Sequence, residues 1–305
     1  MSANDSASPA EALARRTVVC IGTGGARSWL EDLARAGVGR FVLLDGDRVE
    51  PRNVATQGVF ADEAGRYKVD CIQTSIRRIR PQAQVTAVPR FLDDSMDDDA
   101  FRQIVGPDLW TRPQQVLIAG CTDRFDAQAR SARLALQFGT PYLAAQLYRG
   151  GLAGEVYFSY PGLTTGGCPR CAMSSRYQAY LEQGFQNDVT SQGVSIFATQ
   201  RLNALKGQLA LMLLLARAEG TPYAHMLDGV SDRNFVLVRM SPGAGAALGM
   251  PVLDPQGPMS FCDETIWVPQ HPNHPRYGEP LCPLCGGEAD LSAMKGTIPD
   301  TRVHR

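Results

Sequence analysis

A glycine-rich turn near the amino end of the chain has the residue types of a phosphate-binding loop. The turn, Gly22-Thr-Gly24-Gly25, lies between a short β-branched apolar run and a segment with helical periodicity. Backbone N–H groups in such a turn point outward at the positive end of the helix dipole, where they bind phosphate. Asp45 follows Gly22 by 23 residues, close to the offset at which an acidic side chain accepts hydrogen bonds from a ribose. The spacing predicts a nucleotide site.

The residue at position 27, two positions after the turn, distinguishes two classes of nucleotide-binding protein. A dinucleotide fold needs Gly or Ala at position 27 so that the helix and the strand pack closely, and this chain has Arg27. This difference argues against a nicotinamide dehydrogenase. Taken alone, the glycine turn is also compatible with an ordinary tight turn between a strand and a helix.

Two cysteine pairs with the same spacing are the second chemical feature of the sequence. In Cys168-Pro-Arg-Cys171 and Cys282-Pro-Leu-Cys285, two residues separate the sulfurs, so both can reach one Zn²⁺ at about 2.3 Å. Four thiolates leave no open position for water, which predicts a structural zinc that pins the C-terminal region to the segment after residue 160. One pair alone could be a redox motif, but two pairs favour a metal. His271 and His274 are alternative ligands.

Alternating strands and helices would position these residues. Thr17–Gly22 and Arg40–Asp45 have the composition of buried parallel strands, and apolar residues recur at helical spacing between them, from Ser28 to Ala36. A β-α-β unit of this kind implies a right-handed crossover in a doubly wound sheet. Strands and helices continue to alternate along the chain. Helices are predicted over 68–79, 97–105, 124–138 and 197–218, and strands over 84–88, 116–119, 142–145, 154–160 and 235–240.

We therefore predict an α/β fold, with a Rossmann-like, doubly wound and mostly parallel sheet, an antiparallel extension and a zinc-knuckle C-terminal region. Residues 1–16 are expected to be a flexible leader containing a short helix, and 17–160 the nucleotide-binding half. Residues 161–305 would supply a polar crossover segment, a helix, the β extension and the zinc-pinned C-terminus of the same domain. The Gly- and Pro-rich segment 241–259 is expected to be a loop or hairpin.

The composition excludes several classes of protein. The chain has 305 residues, 44% of them hydrophobic, which is typical of a globular protein. Its 30 basic and 31 acidic residues provide no basic surplus for binding nucleic acid through phosphates. The longest apolar run, 209–216, is too short to span a membrane. Because the first residues also lack the pattern of a secretory signal, we expect a cytoplasmic protein.

An ordered set of motifs resembles the core of the ubiquitin-activating superfamily, including the bacterial ThiF, MoeB and HesA adenylyltransferases. The resemblance covers roughly residues 17–218 and 282–287, and includes Cys121-Thr-Asp123 and both CPxC pairs. In that family, the motifs GxGGxGS, aGvG, DxD, vepsN and GxxK follow one another. Here they stand as Gly22/Gly24/Gly25/Ser28, Gly37/Gly39, Asp45/Asp47, Val49/Glu50/Asn53 and Gly65/Lys68.

The resemblance implies a reaction and a set of roles. Members of the family bind ATP and Mg²⁺ and adenylate the C-terminal carboxylate of a small ubiquitin-like or sulfur-carrier protein ending in Gly-Gly, with release of pyrophosphate. They are commonly homodimers. The glycines would cradle the nucleotide, Asp45 would hold the ribose, Lys68 would contact the phosphates and Asp123 would hold Mg²⁺. Asp47 and Asn53 would be their partners.

The chain also departs from the family pattern. Thr56 stands where relatives usually carry a phosphate-binding arginine, and only Arg15 and Arg16 represent the arginine that, in bacterial relatives, reaches across a dimer to the partner's ATP. We hypothesise that Arg27 supplies the replacement charge and acts in catalysis with Lys68 and Asp123. Taken singly, Lys68 could be a solvated residue at a helix start, Asp123 a helix cap and Arg27 an outward-facing helix residue.

The sequence leaves the acceptor and the later chemistry open. The stretch 188–193, which corresponds to the thioester cysteine of some relatives, contains no cysteine, so adenylation without a thioester is the simpler interpretation. Cys262 is an alternative nucleophile, although packing is the default role for a single cysteine. A peptide terminus or a modified tRNA base could replace the carrier protein as acceptor. A non-catalytic nucleotide-binding adaptor is the alternative from another functional class.

Overall fold

The structure is a computed structural model that describes residues 8–183, 194–255 and 264–269, together with residues 282, 284 and 285. The alternative zinc ligands His271 and His274 lie outside the described residues, as do Cys262 and the stretch 188–193.

Eight strands form one sheet in the described part of the chain. They are β1 (Thr17–Ile21), β2 (Arg40–Leu44), β3 (Gln84–Val88), β4 (Val116–Gly120), β5 (Tyr142–Leu147), β6 (Ala153–Ser159), β7 (Phe235–Arg239) and β8 (Glu264–Val268). Their spatial order is β3-β2-β1-β4-β5-β6-β7-β8. The first five are parallel, and β6, β7 and β8 extend the sheet in antiparallel pairs. This confirms the predicted mostly parallel sheet with an antiparallel extension.

The central strands are apolar because both faces of the sheet are covered. Every residue of β1, with the sequence TVVCI, and of β4, with the sequence VLIAG, is buried. Such continuous apolar runs are typical of central parallel strands between two helical layers. At the sheet edge, β3 (QVTAV) has exposed positions at Gln84 and Thr86, as expected for a strand with one free edge.

Helices cover both faces of the sheet. The described helices are α1 (Pro9–Ala14), α2 (Arg27–Ala36), α3 (Val54–Gln57), α4 (Lys68–Ile79), α5 (Asp98–Val105), α6 (Asp108–Thr111), α7 (Phe125–Phe138), α8 (Pro169–Ala172), α9 (Ser174–Gln183), α10 (Ile196–Leu214) and α11 (Ala244–Leu248). One core cluster contains Leu30 of α2, Ile72 of α4 and Leu209 of α10. A second cluster contains Phe101 of α5 and Leu134 of α7. These two layers are what a doubly wound sheet requires.

The polar segment 161–195 contains two helices that its sequence pattern did not predict. Pro169 begins α8, at a position where its missing N–H costs nothing. Helix α9 is mostly polar, so its amphipathic signal is weak and tertiary packing decides its formation. Tyr177 of α9 is buried, with its ring edge-on to that of Phe125 at a centroid distance of 4.9 Å.

Three smaller elements complete the fold. The predicted short helix near the amino end is α1, where Ser8 and Glu11 form a capping box. Within 241–259, predicted as a loop or hairpin, the helix α11 forms. The strand β8, also absent from the sequence prediction, pairs with β7. None of the described helices has both the length and the apolar character needed to cross a bilayer.

Candidate nucleotide site and cysteine cluster

A cavity of about 410 Å³ lies at the carboxyl ends of the parallel strands. It is found where the strand order reverses, since β1 has β2 on one side and β4 on the other. Open α/β sheets bind ligands at this point because the loops leaving neighbouring strands diverge and leave a crevice. Most of the predicted site residues line the cavity: Gly22, Gly24, Gly25, Asp45, Asp47, Lys68 and Asp123.

The glycine turn approaches two neighbouring segments too closely for side chains. Gly22 has φ +80°, and a Cβ atom added there would lie 2.6 Å from the Cα of Thr122. A Cβ on Gly24 would lie 2.6 Å from Oε1 of Gln57, a buried oxygen without a hydrogen-bond partner among the described residues. Gly22 is therefore required by its positive φ and by the Thr122 backbone, whereas a side chain at Gly24 would have to displace the Gln57 side chain.

Asp45 fixes the glycine turn to the end of β2. Its Oδ2 accepts hydrogen bonds from the backbone N of Thr23 at 2.7 Å and from Thr23 Oγ1 at 3.0 Å. Its Oδ1 accepts a hydrogen bond from the backbone N of Asp47 at 2.9 Å. Asp45 thus orders the turn from within the protein, and its contact with a ribose stays a prediction.

Lys68 forms an ion pair with Asp47 at the cavity wall. Lys68 begins α4, and its Nζ lies 2.9 Å from Oδ2 of Asp47. The lysine side chain is 8% exposed, whereas that of Asp47 is 54% exposed. The alternative interpretation of Lys68 as a solvated residue at a helix start is therefore wrong. Among the described residues its ion-pair partner is the solvent-facing Asp47 alone, and a buried ammonium of this kind is well suited to bind an anionic ligand.

Asp123 adds a third carboxylate to this wall. Burial raises the pKa of Asp123, the nearby Asp47 and Asp45 raise it further, and Lys68 opposes this effect. Arg124 rather than Asp123 occupies the N-cap position of the helix that follows, which argues against the helix-cap alternative. Carboxylate oxygens are the ligands that Mg²⁺ uses, commonly one or two of them together with substrate phosphates. Asp123 and Asp47 fit such a role.

Lys206 lines the cavity and was not found by sequence reasoning. It belongs to α10, is 3% exposed, and places its Nζ 3.6 Å from Sγ of Cys121 and 4.7 Å from the centre of the Trp29 ring. A hydrogen bond with Cys20 and the Lys206 ammonium together lower the pKa of the Cys121 thiol to about 6, against the effect of burial. The sequence did contain a signal for Lys206, which is the one lysine in an otherwise largely apolar helix. A charged residue buried in such a helix needs a partner, so its position could have indicated a site.

Two further side chains that were not predicted also contact the site. Asn203 of α10 donates hydrogen bonds to the carbonyl oxygen of Gly25 and to Oγ of Ser28, both at 2.8 Å. This contact ties α10 to the glycine turn. Arg124 lines the cavity as well, although it is paired with Asp126.

Thr56 and Asn53 belong to the same family motif but differ in their position relative to the cavity. Thr56, which replaces the usual arginine, does line the cavity. Asn53, predicted as a partner in the site, is not among the described residues that line it. It is buried instead, and its Oδ1 accepts a hydrogen bond from the backbone N of Glu50 at 2.9 Å. Asn53 therefore shapes the loop that leads to α3.

The structure does not support the proposed catalytic role of Arg27. Its guanidinium is buried, is paired with Glu63, and donates from Nε to Glu31 at 2.9 Å and from Nη2 to Ser75 at 2.8 Å. Arg27 is not among the described residues that line the cavity. Arg27 is therefore not an outward-facing residue, and its contacts with Glu63, Glu31 and Ser75 give it a structural role in the described part of the chain.

Replacing Arg27 with alanine is expected to lower the free energy of unfolding by about 3 kcal/mol, because the variant leaves Glu63 buried without its partner. Burial raises the pKa of Glu63, but hydrogen bonds from Arg27 and from the backbone N of Phe60 outweigh it and leave the pKa below 4.5. The stabilisation is therefore present above that pH and is lost as the pH falls through the folded-state value.

Urea denaturation at pH 7 and at pH 3.5 measures this effect. The difference between the wild type and Arg27→Ala should be smaller at the lower pH. A variant as stable as the wild type at pH 7 would contradict the structural role. A dissociation constant for ATP raised more than tenfold, in protein that remains folded, would instead restore the phosphate-binding hypothesis.

The four predicted zinc ligands lie together in the described part of the chain. Their sulfur atoms are all within 4.8 Å of one another. The sulfurs of Cys168 and Cys171 are 3.8 Å apart, and the pairs Cys168–Cys282 and Cys171–Cys285 are 3.6 Å apart. Zinc–sulfur bonds of about 2.3 Å in a tetrahedron place the sulfurs about 3.8 Å apart. The arrangement thus fits a zinc ion held by four thiolates.

Comparison with known proteins identifies relatives of two kinds. Residues 4–247 match the model of the ThiF family. The chain is 26% identical over 156 residues to ubiquitin-like modifier-activating enzyme 5 of Caenorhabditis elegans, covering 50% of this chain and 37% of that protein. It is 37% identical over 93 residues to the tRNA threonylcarbamoyladenosine dehydratase of Bacillus subtilis strain 168, covering 30% of this chain and 37% of that protein. The chain thus spans less than half the length of these curated relatives.

Comparison with solved structures identifies proteins whose fold is similar to that of this chain. The crystal structure of Escherichia coli MccB with ATP aligns with a TM-score of 0.58 at 14% sequence identity, and the alignment covers 87% of this chain and 67% of the MccB chain. At this identity the likeness concerns the fold alone. The match to the family model, by contrast, spans most of the chain and includes the glycine turn, the carboxylates and Lys68. The chain belongs to the ThiF family.

Proposed function

We propose that the protein adenylates the C-terminal carboxylate of a small ubiquitin-like or sulfur-carrier protein, with ATP as the second substrate and pyrophosphate as a product. The observation that carries the proposal is the cavity wall on which the glycine turn, the Lys68–Asp47 pair and Asp123 meet. Family membership and the names of the relatives support general adenylation chemistry.

The residues of the cavity suit this reaction for electrostatic reasons. A carboxylate oxygen of the acceptor attacks the α-phosphorus of ATP, the bond from that phosphorus to the bridging oxygen breaks, and pyrophosphate leaves with the electron pair. Negative charge spreads over the phosphate oxygens, so cations and N–H donors lower the barrier. The glycine turn would supply N–H groups and Lys68 a positive charge. Asp123, with Asp47, would hold Mg²⁺, which neutralises phosphate charge when bound.

Lys206 is the residue that we infer to compensate for Thr56. The cations among the described residues that line the cavity are Lys68, Arg124 and Lys206. Arg124 is already engaged by Asp126, which leaves Lys206 as the second positive charge inside the cavity. This replaces the earlier hypothesis for Arg27.

The remaining expectations from the sequence belong to the same proposal. The cysteine cluster would hold one structural zinc, and the protein would be a cytoplasmic homodimer. The domain division at residue 160 would separate the nucleotide-binding half from the zinc-pinned half.

Exchange of labelled pyrophosphate into ATP tests the proposal, with candidate acceptors supplied one at a time. A small β-grasp protein ending in Gly-Gly is expected to start the exchange, and removal of its last two residues should abolish it. Exchange started instead by a peptide would favour the acceptor type suggested by the crystals of MccB with MccA. Stimulation by tRNA would favour the function named for the Bacillus subtilis relative. ATP binding without exchange for any acceptor would favour the non-catalytic adaptor.

A further inference from the structure

A second cleft, also of about 410 Å³, lies at the opposite end of the sheet. The first residues of β1, β2 and β3 line it and are aligned in register as Thr17, Arg40 and Gln84. The nucleotide cavity is at the carboxyl ends of the same strands, which are five residues long, so about 16 Å of strand separates the two. Within one chain the cleft is thus separate from the nucleotide cavity.

Arginine side chains dominate this cleft. The five that line it come from four separate parts of the chain: Arg15 and Arg16 between α1 and β1, Arg40 at the start of β2, Arg80 after α4, and Arg112 after α6. The whole chain has a formal net charge of −1, so this concentration of positive charge is local. Folding brings together residues that are up to 97 positions apart in the sequence.

The positive charge is not balanced within the described residues. Asp108, the one acidic residue among the described residues that line the cleft, is already paired with Arg112 at 2.6 Å. The other four arginines form no ion pair with a described carboxylate. Like charges held close together repel one another, and without counter-charge the cluster destabilises the fold. An arrangement of this kind is stabilised when an anion is bound.

Two of the guanidinium groups have buried donors that no atom of the described residues satisfies. The Nε atoms of Arg16 and Arg80 are inaccessible to solvent and have no hydrogen-bond partner among the described residues. Burial also lowers the pKa of Arg16, which indicates that its charge is only partly solvated. A buried unsatisfied donor costs about 1–3 kcal/mol, and more when it is charged. Both side chains line the cleft, where a bound anion would compensate their charge.

We propose that this cleft is a second anion-binding site, and that it takes a compact ligand carrying two or more phosphate groups. The planar guanidinium fork binds phosphate through two parallel hydrogen bonds, and several forks around one cleft favour a ligand with several phosphate oxygens. A volume of about 410 Å³ accommodates a di- or triphosphate. Arg16, Arg40 and Arg80 are half-buried and form its inner part, while the exposed Arg15 and Arg112 form its rim.

The surroundings of the cleft favour a compact ligand over a nucleic acid. Binding along a polynucleotide uses a continuous basic surface that neutralises many phosphates. Here the positive charge is concentrated in one cleft of about 410 Å³, in a chain whose formal net charge is −1, and Asp108 at the start of α6 lines the same cleft. A cluster confined in this way has room for a few phosphate groups rather than for a long phosphodiester chain.

Titration calorimetry with inorganic tripolyphosphate tests the site in the full chain without Mg²⁺. All variants carry Lys68→Met, so that binding in the nucleotide cavity is weakened. In that background, Arg16→Gln combined with Arg80→Gln is expected to weaken tripolyphosphate binding at least tenfold. The matched control, Arg35→Gln with Arg78→Gln, removes two exposed arginines that do not line the cleft and should change the affinity less than twofold.

Three results would overturn the proposal. The first is equal affinity in the cleft variant and the control. The second is at least tenfold tighter binding of a twelve-nucleotide single-stranded RNA than of tripolyphosphate through the same arginines. The ligand would then be a polynucleotide. The third is dissociation of a dimer by the cleft substitutions in sedimentation velocity, because a second copy would then cover the arginines.

A variant of the exposed arginines and titrations with other phosphate ligands provide further tests of the site. If the double cleft variant does not fold, the exposed pair Arg15→Gln with Arg112→Gln is used, and at least a threefold loss of affinity is expected; no loss would refute the site. Inorganic pyrophosphate and a nucleoside triphosphate are compared with tripolyphosphate to identify the source of the phosphates. Failure of ATP–pyrophosphate exchange would refute the proposed adenylation but leave tripolyphosphate binding unchanged.

Discussion

Replacement of Lys68 by methionine is expected to raise the dissociation constant for ATP about thirtyfold and to slow ATP–pyrophosphate exchange by about a hundredfold at saturating ATP. Lys68 is the buried cation at the cavity wall, and a hydrogen bond to a charged group contributes about 2 kcal/mol, which corresponds to roughly thirtyfold in affinity. The exchange rate falls further because charge on the phosphate oxygens grows as the bond to pyrophosphate breaks.

The same substitution should leave the fold intact. Asp47, the partner of Lys68, is more than half exposed, and ion pairs with an exposed partner contribute about 1 kcal/mol or less. Loss of ATP binding in Lys68→Met can therefore be assigned to the cavity once its thermal unfolding matches that of the wild type.

Calorimetric titration with ATP measures the first effect, and Arg66→Met is the matched control. Arg66 lies two residues before Lys68, is exposed and does not line the cavity, so its loss removes the same charge from the same segment. An ATP dissociation constant within threefold of the wild type in Lys68→Met would remove this lysine from the site. A similar loss in both variants would reduce its role to general electrostatic attraction.

Replacement of Cys282 by serine is expected to lower the zinc content from about one ion per chain to less than about a tenth and to reduce the melting temperature by about 10 °C. Three thiolates and a hydroxyl bind zinc far more weakly than four thiolates, and structural zinc binding is coupled to folding of the segments that it joins. Cys282 is 114 residues from Cys168, whose sulfur lies 3.6 Å away, so the ion would tie the segment around Cys282 to α8.

Metal analysis and thermal unfolding of the full chain check this prediction. Cys71→Ala is the control, because Cys71 is buried in a small separate cluster and is not part of the four-sulfur group. Hydrogen exchange should increase in α8 and α9 of Cys282→Ser, whereas β1 and β4 should be unaffected. Wild-type protein that is folded and active without any metal would refute the assignment. An unchanged zinc content in Cys282→Ser would assign the fourth ligand to another residue.

The sequence alone determined strands β1 to β7 and the position of the candidate nucleotide cavity, but not the edge strand β8. Each central strand is a short apolar run that ends at a glycine or a carboxylate, and the carboxyl ends of parallel strands meet at one edge of the sheet. Residues at those ends therefore converge whatever the details of packing, and Gly22, Asp45 and Asp123 do line one cavity. The cysteine cluster was predictable for a related reason, since the short CPxC spacing presents two sulfurs together within each pair.

Only the tertiary structure decided which side chains from distant segments meet. Arg27 has the local context of a phosphate-binding residue, yet Glu63, 36 positions away, holds it outside the cavity. The sequence around Lys206 predicts only an apolar helix, yet its side chain contacts Cys121, 85 positions away, inside the cavity. Periodicity fixes the face of an element on which a residue lies, but it does not encode the partner that the opposing element presents. The arginine cleft depends on the same non-local packing, because its five cations come from four separate parts of the chain.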